Sequence, residues 1–146
     1  MINNMLKIRA HHLLCIPRFY SGGYNKVFGK NLKRICFKIR KNPNIKIKII
    51  KKCDDICNKC PHKKDNICKK TPKLNYWILA QDNKVLKKLK LKENSVHNAK
   101  DVFNLSIDKV NSENIRSICK GCVFLENCMH IGINNSFKKD LNKRSD

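Results

Sequence analysis

The chain has 146 residues and a net charge of +22, from 33 basic and 11 acidic side chains. Its 41% hydrophobic and 30% charged content excludes both a membrane-embedded bundle and a wholly disordered chain. No apolar run approaches the ~20 residues that span a bilayer, so one folded domain with no membrane segment is the expectation.

The N-terminus reads Met1-Ile2-Asn3-Asn4-Met5-Leu6-Lys7-Ile8-Arg9-Ala10-His11-His12-Leu13-Leu14-Cys15. Lys7, Arg9, His11 and His12 interrupt its apolar positions, so it lacks the apolar stretch of a secretory signal. Leu14-Cys15 hints at a lipoprotein cleavage box, but that box wants a small residue where Leu14 stands. A cytoplasmic location is expected. From Leu6 to Phe19 the apolar spacing predicts a short helix that ends near Pro17. Ser21-Gly22-Gly23 breaks the chain. From Tyr24 to Arg40, Val27, Phe28, Leu32, Ile35, Cys36 and Ile39 fall on one face of an amphipathic helix. Cys36 on that face reads as a buried thiol.

Ile45-Lys46-Ile47-Lys48-Ile49 alternates strictly, the pattern of a half-buried strand with lysines toward water. It leads into a loop dense in cysteine. Asn75 to Ala80 reads as a second short strand. Asp82 is positioned to cap a helix through Val85, Leu86 and Leu89, and Ser95 to cap one containing Val102, Phe103, Ile107 and Val110. Ser112-Glu113-Asn114 opens a helix through Ile115 and Ile118. The expected fold is a small α+β domain over residues 1–133, with several helices and a two-stranded sheet, held together by a cysteine-ligated metal. Residues 134–146 read as a polar, loose tail.

Nine cysteines are many for a chain of this length. The number is odd and no export signal is seen, so metal ligation or redox chemistry is favoured over disulfides. Cys57/Cys60 and Cys119/Cys122 are Cys-x-x-Cys pairs, a spacing that lets one turn aim two thiolates at one ion. Each pair has a third thiol downstream, Cys68 and Cys128. Cys15 and Cys53 supply further donors. An all-cysteine zinc ribbon on Cys57, Cys60, Cys119 and Cys122 would leave Cys15, Cys68 and Cys128 unused. An iron–sulfur cluster, of the four-iron type, uses the donors better. Lysines that flank the ligands, among them Lys51, Lys59 and Lys120, would offset its negative charge and lower thiolate pKa values. Cys53-x-x-x-Cys57-x-x-Cys60 also matches the spacing of radical S-adenosylmethionine enzymes, but this chain is too short for their barrel and lacks their Gly-rich motifs.

These motifs in order resemble a small bacterial and archaeal family of unknown function, DUF1284. The resemblance rests on Arg9-Ala10-His11-His12-Leu13-Leu14-Cys15, Gly23-Tyr24, Asp54-Asp55-Ile56-Cys57 with Cys60-Pro61 and Cys68, and Ile118-Cys119 with Cys122 and Cys128. It covers nearly the whole chain except the tail. It implies a single-domain iron–sulfur-binding protein with no established activity. Cys36 and Cys53 lie outside the family's pattern, which counts further against the radical-enzyme reading.

Neighbouring helical side chains point about 100° apart, so His11 and His12 are not expected to bind one ion. His12 and Cys15 share a face and could approach a cluster together; the competing reading is a hydrogen-bonded core histidine. Asp54-Asp55 reads as a turn. His62, His97 and His130 look incidental. No catalytic constellation is recognisable. The leading expectation is therefore an electron-transfer or redox-sensing protein whose basic surface docks an acidic redox partner. The alternative is a structural-zinc module that binds nucleic acid through its lysines, against which the aromatic content is only 7%. An enzyme with an open iron position, using His12 or Asp55, is a third class. Charge does not decide among them, because Lys, Asn and Ile share A/T-rich codons and genome composition can supply the lysine.

Overall fold

A computed structural model of the chain describes residues 5–18, 26–51, 54–55, 63–64, 67–68, 74–118 and 133–143. The alternating Leu6-Lys7-Ile8-Arg9 stretch forms strand β1 (Leu6–Arg9), followed by one helical turn, α1 (His12–Cys15), and a 3-10 turn at Ile16–Arg18. The helix expected across Leu6–Phe19 is thus corrected to a strand and a single turn. Tertiary pairing decides this: β1 lies parallel to β2 (Lys46–Ile50), with Leu6 opposite Ile47 and Arg9 opposite Ile50. A ladder partner outweighs weak local helix preference.

The crossover between these parallel strands runs through α1 and the long helix α2 (Lys26–Lys41), as parallel pairing requires. Leu32, Ile35, Cys36 and Ile39 are buried on α2, while Lys33, Phe37 and Lys38 are exposed. The expected amphipathic face is present from Leu32 onward, but Val27 is 58% exposed. Burial pushes the Cys36 thiol up to about 12, so it stays an inert, protonated core group.

In β2, Ile47 and Ile49 are fully buried and Lys46 is exposed, which matches the alternation in the sequence. β2 is central. Its other edge pairs antiparallel with the short strand Val96–Asn98, giving a three-stranded mixed sheet instead of the expected two-stranded one. Labelled in chain order, β3 (Lys63–Lys64) and β4 (Ile67–Cys68) pair antiparallel with each other over two residues, and Val96–Asn98 is β5.

The stretch Asn75–Ala80 is not a strand. It lies within α3 (Leu74–Leu89), a continuous helix in which Asp82 sits mid-way and not at the cap. The register explains this: Asp82, Val85, Leu86 and Leu89 share one face, and that face is turned inward. Lys90 and Asn94 take left-handed backbone after α3. Leu91 N–H donates to Leu86 C=O at 2.9 Å and Lys90 N–H to Lys87 C=O at 3.3 Å, the crossed pair that terminates a helix in a Schellman turn. Ser95 does not cap the next helix either. Asn98 precedes α4 (Ala99–Lys109), while the Ser95 hydroxyl donates to the Lys92 carbonyl. α5 (Ser112–Ile118) forms where expected, with Asn111 and Asn114 exchanging side-chain acceptor and backbone donor at its start.

The region read as a loose tail contains α6 (Asn135–Leu141). The Asn134 carboxamide caps it by accepting from the N–H groups of Ser136 and Phe137. Phe137 and Leu141 are buried, and the Phe137 ring meets Phe103 of α4 edge-on at 5.7 Å. Arg40 of α2 binds Asp140 at 2.6 Å and Ser136 at 2.7 Å. Two apolar residues spaced four apart in a polar stretch were the signal for this docking. One hydrophobic core, built on Ile8, Ile47, Ile49, Ile35, Ile39, Val102 and Phe103, runs under the sheet and helices.

Because Phe137 is anchored in that core, Phe137→Ala should lower stability by about 3–5 kcal/mol. Urea unfolding followed by circular dichroism checks it. A loss under about 1 kcal/mol would mean that α6 contributes little to the fold.

Candidate functional site

At the end of β1 the chain buries a charge. The Arg9 side chain is 2% exposed, and its Nε donates to Asp82 Oδ2 at 2.7 Å, with that carboxylate 0% exposed. A second guanidinium nitrogen donates to the Lys51 carbonyl at 3.2 Å. Asp82 also accepts from the backbone N–H of His11 at 3.0 Å and meets His11 Nδ1 at 2.8 Å. Asp54 does the matching work one residue on. Its Oδ2 accepts the Arg9 backbone N–H at 2.6 Å and lies 2.6 Å from His12 Nδ1.

The result is two carboxylate–imidazole pairs, His11–Asp82 and His12–Asp54, with Arg9 bonded to both carboxylates. Both imidazoles are 14% exposed and both carboxylates 0%. Their rings lie side by side, centroids 4.4 Å apart. Although each ring is bonded to a different aspartate, the two imidazoles stay adjacent.

An ionised carboxylate only accepts hydrogen bonds, so a neutral imidazole against it carries its proton on Nδ1 and its lone pair on Nε2. Burial, reinforced by His12, lowers the His11 pKa against the opposing pull of Asp82, and keeps this ring neutral near pH 7. Burial alone would raise the Asp82 carboxyl, but the His11 hydrogen bond and the Arg9 cation outweigh it and hold it below the usual range.

The Asp54–Asp55 segment is held from three sides. Asp55 exchanges bonds with Lys7 through its N–H (3.1 Å) and its carboxylate (2.9 Å), and Asn31 of α2 donates to its carbonyl at 2.9 Å. The turn reading suits the backbone at Asp55, but Asp54 is 3% exposed and serves as an acceptor inside the fold. Sequence reasoning missed Arg9, His11 and Asp82 as parts of one site. The legible signal was Asp82, an acidic residue in register with Val85, Leu86 and Leu89.

Of the expected metal ligands, Cys53, Cys57, Cys60, Cys119, Cys122 and Cys128 lie outside the described residues, as do His62 and His130. Cys68 is the second residue of β4, paired with Lys63; its side chain is likewise outside. Cys15 is half-buried on α1, three residues after His12. His97 is half-buried and hydrogen-bonded to Ser95. Among the described residues, no group of three or more His, Cys, Asp or Glu side chains is arranged to hold a metal ion. Gln81, next to Asp82, donates to the Ile118 carbonyl at 3.1 Å, immediately before Cys119 in the chain. No helix among the described residues is long and apolar enough to cross a membrane.

These features define a small α+β domain built round a buried Arg–Asp–His network. The chain belongs to the family DUF1284, described as a protein of unknown function, whose model matches residues 23–128. Arg9, His11 and His12 precede the matched span, while Asp54 and Asp82 fall inside it. No curated protein and no solved structure matches the chain.

Removing one partner from a buried ionic set leaves the others desolvated and unpaired. Asp82→Ala should therefore cost about 3–5 kcal/mol, read as a fall in the urea midpoint; a change under about 1 kcal/mol would mean that the network contributes like a surface pair. Stability should also fall as the pH drops below the ordinary histidine range near 6.5. There the unfolded chain takes up a proton that folded His11 resists, and Asp82 acts in the same direction at lower pH. A midpoint at pH 5.5 equal to that at pH 7.5 would contradict it.

Proposed function

We propose that this protein carries an iron–sulfur cluster on cysteine thiolates and uses it for electron transfer or redox sensing. The donor set supports the reading: two Cys-x-x-Cys pairs, each with a third cysteine downstream, and Cys15 on α1. Cys57, Cys60, Cys68, Cys119, Cys122, Cys128 and Cys15 form the ligand pool, more than one zinc ion uses.

One geometric observation carries it furthest. Asp54 of the first cysteine-rich segment belongs to the network, and the residue before the second is bonded to the chain neighbour of Asp82. Asp54, between Cys53 and Cys57 in the chain, is bonded to Arg9 and His12. Ile118, just before Cys119, is bonded to Gln81 beside Asp82. A multi-thiolate site needs segments distant in sequence to converge, and a buried, fully hydrogen-bonded base is a rigid support for it.

A bound cluster supplies reversible one-electron chemistry. The chain's own residues would hold the thiolates, and nearby cations would favour their ionised form. The net charge of +22 suits an acidic redox partner, whose approach such a surface accelerates at low ionic strength.

Metal and sulfide analysis of protein purified without oxygen, with its visible spectrum, tests the reading. Iron with inorganic sulfide and a broad brown absorbance at roughly 400 nm is the expected result for a cysteine-bound cluster. Stoichiometric zinc and a colourless protein would overturn it in favour of a structural-zinc module, and the search would move to nucleic-acid binding on the lysine-rich surface. Cys57→Ser and Cys119→Ser should each lose bound metal, whereas Cys36→Ser, in the core, should keep it. Full retention in both of the first two would remove them from the ligand set.

A further inference from the structure

The His12–Asp54 pair does more than a core hydrogen bond requires. Asp54 Oδ2 is fixed by the Arg9 N–H as well as by the imidazole, both at 2.6 Å, and its side chain is 0% exposed. The carboxylate cannot swing away without leaving a buried donor unpaired. With the carboxylate accepting at Nδ1, a neutral His12 carries its lone pair on Nε2. That nitrogen makes no hydrogen bond among the described residues. The imidazole is 14% exposed, so part of the ring reaches the surface.

Histidines that ligate metals are held this way. A carboxylate or carbonyl on one ring nitrogen sets the tautomer and the ring plane, and raises the basicity of the other nitrogen. Here the orienting carboxylate is part of the cysteine-bearing segment itself: Asp54 falls one residue after Cys53 and three before Cys57. Cys15, in the ligand pool, is one helical turn after His12. His11 is built alike, but its aspartate, Asp82 of α3, does not lie within a cysteine-bearing segment of the chain as Asp54 does.

From this geometry we propose that Nε2 of His12 is a ligand to the metal that the cysteines hold, and that Asp54 is the residue that positions it. The proposal rests on the cysteine-bound metal inferred above and names its non-thiolate ligand. An imidazole in place of a thiolate removes one negative charge from the centre and raises its potential, as histidine ligation does in Rieske centres.

The test uses the full chain purified without oxygen and reduced, with pulsed electron paramagnetic resonance to read nitrogen coupling to the cluster. The unaltered protein and His11→Asn should show the strong coupling of a ligating imidazole, and His12→Asn should lose it. His12→Cys should keep iron and sulfide, lack the coupling and have a lower midpoint potential; it guards against simple loss of the site. Asp54→Asn should shift the potential in the native background and not in His12→Cys, where a purely structural role would still act.

Normal iron and sulfide with no nitrogen coupling, or coupling that survives in His12→Asn, overturns the His12 assignment and leaves the iron–sulfur reading standing. If the protein holds zinc, that reading fails and His12 is judged in cobalt-substituted protein. Visible bands altered by His12→Asn but not by His11→Asn support ligation, and bands unchanged by both overturn it. A protein with no bound metal overturns both.

Discussion

The burial of Arg9 is the constraint on which the site depends. A guanidinium 2% exposed is tolerable only where acceptors replace the water it has lost. Asp82 supplies one from the middle of α3 and the Lys51 carbonyl another from the end of β2, while Asp54 holds the Arg9 backbone. Both carboxylates need further donors once buried, and the adjoining histidines provide them. One cation thus ties β1, α1, the Asp54 segment and α3 into a unit that cannot be loosened piecemeal. The network fixes side-chain geometry, because removing any one partner would leave the others buried and unpaired.

That geometry presents two imidazoles side by side, each oriented through Nδ1. Residues that lead into both cysteine segments are bonded to the network or to a chain neighbour of it. Asp54 belongs to the first cysteine segment, and Gln81 holds the carbonyl that precedes the second. Cys36 illustrates the contrast within one residue type: it is buried among Leu32, Ile35 and Ile39, protonated, and outside this arrangement.

Much of the frame was legible in the sequence. The β2 alternation, the apolar face of α2 from Leu32 to Ile39, and α5 all follow from local periodicity, and the structure has them. The elements misread share a cause. Leu6–Arg9 is too short to declare itself a strand until β2 is beside it. Asn75–Ala80 alternates weakly, and it continues into a helix whose Asp82 faces inward to meet Arg9. α6 has only Phe137 and Leu141 as its apolar signal, and these count once Phe103 and Leu141's neighbours in the core receive them.

The sequence by itself determined the class of the fold, the family to which the chain belongs and the spacing of its cysteines, because periodicity and motif spacing are local properties of the chain. Only the tertiary structure decided that Arg9, His11, His12, Asp54 and Asp82 form one network. Those residues are up to 73 positions apart, and no local pattern encodes which aspartate a buried arginine will meet. The physical reason is desolvation. A buried charge selects its partners from whatever the packed elements bring within hydrogen-bonding distance, and that choice exists only after the sheet and α3 have closed round it.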